Sequence, residues 1–90
     1  MNENELKEKI LKTIEKNKLF TKKIINIKLH QSKLNKQFFD CYLFYSDNNK
    51  DYYYILVDVN KNEFFSIIHG KKIKLEVEKW NFISLTKLHI

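Results

Sequence analysis

The spacing of apolar residues changes once along this chain, and that change limits the folds open to it. Over residues 3–18, ENELKEKILKTIEKNK, the residues Leu6, Ile10, Leu11 and Ile14 recur at helical spacing and share one face. Asn2 or Asn4 can cap such a helix. Glu3, Glu5 and Glu8 sit in its early turns and Lys16 and Lys18 at its end, which complements the helix dipole. From about residue 22 the period becomes two. In KKIINIKLH, the residues Ile25, Ile27 and Leu29 alternate with Ile24, Asn26, Lys28 and His30, the pattern of a half-buried strand.

The strand pattern then repeats. QSKLNK is a polar connection in which Leu34 can tuck inward. FFDCYLFY at 38–45 and YYYILVDV at 52–59 are aromatic and β-branched, as strands prefer, and SDNNKD between them is a hairpin loop. NKN at 60–62 is the next turn, EFFSIIH at 63–69 the next strand, and Gly70 marks a third turn. KIKLEV at 73–78 and a segment near 81–88 complete the series. Lys74, Glu76 and Glu78 make 73–78 a one-sided, outer strand. The expected fold is α+β. One N-terminal helix, about 3–18, packs on a meandering antiparallel sheet of five to six strands over about 22–88, with strong curling open to it. Residues 1–90 form a single domain.

Both faces of that sheet are greasy. Pairing Tyr45 with Tyr52 across the first hairpin, and Val59 with Glu63 across the next, puts Phe38, Tyr42, Phe44, Tyr53, Ile55, Val57, Val59, Phe65 and Ile67 on one face. The other then carries Phe39, Cys41, Leu43, Tyr45, Tyr52, Tyr54, Leu56, Phe64 and Ile68, with Asp58 and Ser66 among them. An open antiparallel sheet under one helix should be polar on its free side. The surplus has three explanations: a curled or closed sheet, pairing with a second copy, or a surface for another partner. Tyr45, Tyr52, Tyr54, Leu43 and Leu56 are the interface candidates on this register, tyrosine being common at interfaces.

The charge is uneven. Net charge is +6, yet residues 1–40 carry +5 of it and residues 41–90 only +1. The segment 16–36 holds seven lysines, a histidine and no acid. Lys16, Lys18, Lys22, Lys23, Lys28, His30, Lys33 and Lys36, with Lys71 and Lys72 from HGKKIK, are the candidates for contact with a polyanion or an acidic partner. The plainer account is a solvated face with scattered charge. The chain has no Arg, so it lacks the bidentate grip that reads guanine and clamps phosphate. Ala and Pro are also absent while Lys, Asn, Ile and Phe abound, which implies a very AT-rich coding sequence, as in low-GC bacteria and their phages and plasmids.

Several chemistries lack their residues. One glycine cannot build a phosphate-cradling loop, and no G-x-S-x-G is present. His30, His69 and His89 stand apart from one another, with no ligand spacing, so no metal or other cofactor is expected. Cys41 lies in an apolar run without an activating neighbour, and alone it forms no intrachain disulfide. The start, MNENELKEK, is not a signal sequence, and the longest apolar run, YYYILV, is too short to span a bilayer. A cytoplasmic protein without membrane contact is expected.

The function expected from this pattern is a small non-catalytic binding protein from a phage or other mobile element. It would inhibit a host nucleic-acid-handling or defence machine, such as a CRISPR-type nuclease, by contact with a protein or ribonucleoprotein. The alternatives are a single-stranded nucleic-acid-binding module using the lysines and tyrosines, and a structural homodimer.

Overall fold

A computed structural model describes residues 2–76. Helix α1 spans Glu3–Asn17, followed by strands β1 (Asn26–Gln31), β2 (Phe38–Phe44), β3 (Tyr52–Asp58), β4 (Glu63–Ser66) and β5 (Lys71–Lys74). Each strand pairs antiparallel with its neighbour in sequence, giving the order β1-β2-β3-β4-β5. The fold is α+β, and the sheet is open rather than closed on itself. Val77, Glu78, Trp80, His89 and the strand expected near 81–88 lie outside the described residues.

The helix ends where its sequence says it should. Asn2 is the N-cap, with its side-chain oxygen accepting the Glu5 N–H at 2.8 Å. At the other end Lys18 takes the left-handed conformation, φ 49°, and its N–H donates to the Glu15 carbonyl. Glycine is the usual occupant of such a position, and a lysine there costs about 1 kcal/mol. Leu6, Ile10 and Ile14 form the buried stripe of α1. They meet Ile27, Cys41, Leu43, Ile55, Val57, Phe64 and Leu75 in one core between helix and sheet. Phe20, just past the helix, stacks on Tyr53 at 4.2 Å and closes one end of that layer.

The register differs from the expected one. Tyr52 pairs with Phe44, not Tyr45, and Glu63 pairs with Asp58, not Val59. In the first hairpin Tyr45 N–H instead donates to the Asp51 carbonyl, and Asn49 takes φ 54° at the loop tip. A one-residue slip turns a strand over. Two successive slips cancel, so β2 and β4 keep the shared faces expected of them, and only β3 is inverted. The inner face thus gathers Cys41, Leu43, Ile55, Val57 and Phe64, all fully buried. Phe64 and four smaller side chains fill the layer beneath α1, with Phe20, Phe39 and Tyr53 packed at its margin, while Phe38, Tyr42, Phe44, Tyr52, Tyr54 and Phe65 turn outward.

Other boundaries move for local reasons. β1 starts at Asn26 rather than near 22, leaving Ile25 54% exposed. Leu34 does not tuck inward; it is fully exposed in the β1–β2 connection. β4 stops at Ser66, because Gly70 N–H bonds back to the Ser66 carbonyl at 2.8 Å. Ile67 and Ile68, expected in that strand, stand in the turn instead. Gly70 has φ 63°, the left-handed conformation glycine accepts freely. Lys71 then pairs with Ser66 and β5 begins, with Ile73 opposite Phe64.

One residue inside the helical stripe is polar. Thr13 is fully buried; its hydroxyl donates to the Lys9 carbonyl at 2.7 Å and accepts the Glu76 N–H at 2.9 Å. Lys16 adds an ion pair with Glu76 at 3.2 Å. Together with buried Leu75, these contacts draw the chain after β5 onto the helix. Thr13→Val keeps the shape but leaves the Glu76 N–H without its partner. It should lower unfolding free energy by about 1–3 kcal/mol in a denaturant titration. Lys16→Gln, which removes only a largely exposed ion pair, should cost less than about 1 kcal/mol in the same titration.

Candidate functional site

The face of the sheet away from α1 is the candidate site. Alternation along each strand and the pairing across strands place its residues in rows. Asn26, Phe44 and Tyr52 form one row, and Lys28, Tyr42 and Tyr54 the next. His30, Asp40, Leu56, Phe65 and Lys72 follow, and Phe38, Asp58, Glu63 and Lys74 complete the face. Tyr52 is 48% exposed and Phe65 37%, and the remaining apolar members are half-buried by their neighbours in the sheet. The rings touch one another: Tyr42 meets Tyr52 edge-on at 5.2 Å and Tyr54 at 5.7 Å, and Phe44 meets Tyr52 at 5.5 Å. Such pairs add roughly 0.5–1.5 kcal/mol each beyond burial and hold the cluster in place.

The carboxylates of this face are already engaged. Asp40 accepts the Tyr54 hydroxyl. Partial burial and that bond push the Tyr54 phenol above its ordinary range, so it stays a proton donor. Asp58 is drawn upward by burial. Hydrogen bonds from the Gln37 side chain and from the Lys61 and Asn60 backbone outweigh that and hold it below the usual carboxylate range. Glu63 faces Lys74 at 3.2 Å and Lys72 at 3.8 Å. Lys28 and His30, at the β1 edge, make no ion pair among the described residues.

The basic residues singled out by sequence do not form one stripe. Lys18 caps α1, Lys22 and Lys23 lie in the connection to β1, and Lys33 and Lys36 lie beyond the other end of β1. Lys28 and His30 stand between these two groups on the open face. Lys16 is tied to Glu76. Lys71 and Lys72 belong to β5, four strands from β1, which is about 19 Å at ordinary strand spacing. Among the interface candidates, Tyr52, Tyr54 and Leu56 do share the open face. Leu43 does not: it is fully buried beneath the helix. Tyr45 packs against Tyr53 at 4.7 Å, on the helix side. Phe38, Tyr42, Phe44 and Phe65 were assigned to the opposite face from Tyr52 by the slipped register and belong beside it. Parity within each strand was the signal for them; the pairing between strands was not readable.

Two side-chain constellations bear on chemistry. Ser66 Oγ lies 2.8 Å from His69 Nδ1 and also accepts the His69 N–H at 3.3 Å. The serine is almost fully buried, so the pair secures the turn at Gly70 and presents no nucleophile to solvent. Cys41 is fully buried, and burial pushes its thiol up to about 12, partly opposed by the charge of Lys7. Among the described residues no group of three His, Cys, Asp or Glu side chains is placed to hold a metal ion, and no helix is long and apolar enough to cross a membrane. Comparison with protein-family models, curated proteins and solved structures finds no match to this chain.

Two measurements follow from the titrating groups. Asp58 is held below its unfolded value, so its contribution to stability is present above the ordinary carboxylate range and is lost as pH falls through the folded value. Asp58→Asn should therefore flatten the acid limb of stability against pH, measured by denaturant titration at successive pH values; an unchanged acid limb refutes this. The Cys41 thiol should resist a thiol reagent at neutral pH and react only when denaturant unfolds the chain. Stoichiometric labelling of the native protein would contradict its burial.

Proposed function

We propose that this protein is a non-catalytic binding protein that acts by macromolecular contact, with the open face of the sheet as its contact surface. The supporting observation is a contiguous aromatic patch, Tyr42, Phe44, Tyr52 and Tyr54 continued by Leu56 and Phe65, over which no described element packs. Scattered exposed hydrophobics are ordinary, whereas contiguous ones rimmed by polar groups mark interaction surfaces. Tyrosine and phenylalanine are enriched at such surfaces because each supplies large contact area.

The setting we propose is cytoplasmic: a phage or other mobile element uses the protein to occlude a host nucleic-acid-handling or defence machine, such as a CRISPR-type nuclease. Small size, AT-rich coding composition and the absence of a recognisable catalytic motif support that setting. The partner is then a protein or a ribonucleoprotein. A basic chain does not imitate DNA, so it must meet an acidic protein patch, a guide RNA or the DNA itself.

The experiment is plating efficiency of a restricted phage on hosts carrying active defence nucleases, with and without the protein. Expression should restore plating on at least one host. Tyr52→Glu combined with Phe65→Glu should abolish the effect while leaving circular dichroism unchanged, since both positions are exposed. Restoration on no host, or full restoration by the double variant, refutes the proposal.

A further inference from the structure

We infer that the half of the open face nearest β1 is a site for single-stranded nucleic acid, in which the rings stack on bases and the β1-edge lysines meet phosphates. This rests on the reading of the open face as the contact surface and goes beyond it by naming the partner's chemistry. Two observations meet there. The first is the ring cluster: Tyr42 and Phe44 each meet Tyr52, at 5.2 and 5.5 Å, and Tyr52 is the most exposed of the three. Bases stack on such rings when a strand is unpaired, and stacking tolerates any base because each has a π-face.

The second observation is where uncompensated positive charge lies. Lys28 stands directly across the ladder from Tyr42. Lys22 and Lys23 precede it, and the connection they occupy is bonded to the Phe44 end of β2 through the Ile25 N–H, at 2.7 Å from the Phe44 carbonyl. None of these three lysines has a carboxylate within ion-pair distance among the described residues. At the opposite edge Lys72 and Lys74 are both shared with Glu63. Lys28 is the cation of the open face itself beside these rings, and Lys22 and Lys23 flank it from the connection, where they line a groove with Leu11, Ile14 and Glu15. The carboxylate of this half, Asp40, is turned to the Tyr54 hydroxyl. With lysine as its only permanently cationic side chain, the site attracts phosphate without reading sequence. An acidic protein would satisfy the lysines and pack on the rings as well, and a preference for single strands over duplex separates the two partners.

The test is fluorescence anisotropy with labelled single-stranded DNA and RNA oligonucleotides and a DNA duplex, at low and physiological salt. Single strands should bind more tightly than the duplex. Lys22→Gln, Lys23→Gln and Lys28→Gln together should flatten the log–log salt slope by about 2, at roughly 0.7 per phosphate contact. Tyr52→Ala should weaken binding about tenfold, and Tyr52→Leu, which preserves apolar contact but not the ring, should do the same. Lys72→Gln with Lys74→Gln should change affinity less than about twofold.

No binding at low salt, no effect of either Tyr52 substitution, or equal loss from the Lys72 and Lys74 pair overturns the inference. If no oligonucleotide binds while Tyr52→Glu with Phe65→Glu still abolishes the effect on plating, the contact surface stands and its partner is an acidic protein. If that double variant keeps its effect on plating, the reading of the face fails as well.

Discussion

One helix can cover one face of a sheet. Leu6, Ile10 and Ile14 form a stripe wide enough to bury Cys41, Leu43, Ile55, Val57 and Phe64, and that layer is the core. At about 25 cal/mol per Å² of apolar surface removed from water, these residues dominate what stabilises a chain of this size. Everything else in the molecule accommodates that layer. The strand register places Cys41, Leu43, Ile55, Val57 and Phe64 beneath the helix, the Thr13 hydroxyl holds the chain after β5 onto it, and Tyr42, Phe44, Tyr52, Tyr54 and Phe65 occupy the other side of the sheet.

Much of this was legible in the sequence, for identifiable reasons. The helix was readable because its apolar residues recur at a period no strand shares, and because Asn2 and the early glutamates mark its start. The strands were readable from alternation. Their pairing was not, since Tyr45 and Phe44 are equally plausible partners for Tyr52 when both faces are apolar. In the loop between β2 and β3, Ser46 Oγ donates to Asn48 Oδ1 at 2.6 Å and accepts the Asp51 N–H at 3.4 Å, and no pattern of hydrophobicity encodes those bonds. Thr13 escaped for a different reason: a threonine in an apolar stripe reads as a tolerated impurity until its acceptor role toward Glu76, 63 residues away, is seen. Of the interface candidates, Tyr52, Tyr54 and Leu56 lie together on the open face. Leu43 and Tyr45 lie on the helix side, and that division traces to the one inverted strand.

The electrostatics illustrate why counting charges along a chain says little about the surface it makes. Lys71 and Lys72 looked like an extension of the 16–36 segment, but the meander separates them by the full width of the sheet. Glu63 then quenches much of the charge at the β5 edge. At the β1 edge the lysines also have a role independent of any ligand. An edge strand exposes backbone donors and acceptors that invite a second strand, and lysine on such a strand discourages that pairing.

The order β1-β2-β3-β4-β5 also bears on how the molecule assembles. Every strand pairs with its sequence neighbour, so the sheet can grow hairpin by hairpin from short loops, each with a small closure entropy. The helix, by contrast, is tied to the far end of the meander through Thr13 and Glu76, a contact across 63 residues that carries a larger closure entropy than any of these hairpins. The molecule therefore combines short-range closures within the sheet with one long-range clasp that fastens the chain after its last described strand to its first element.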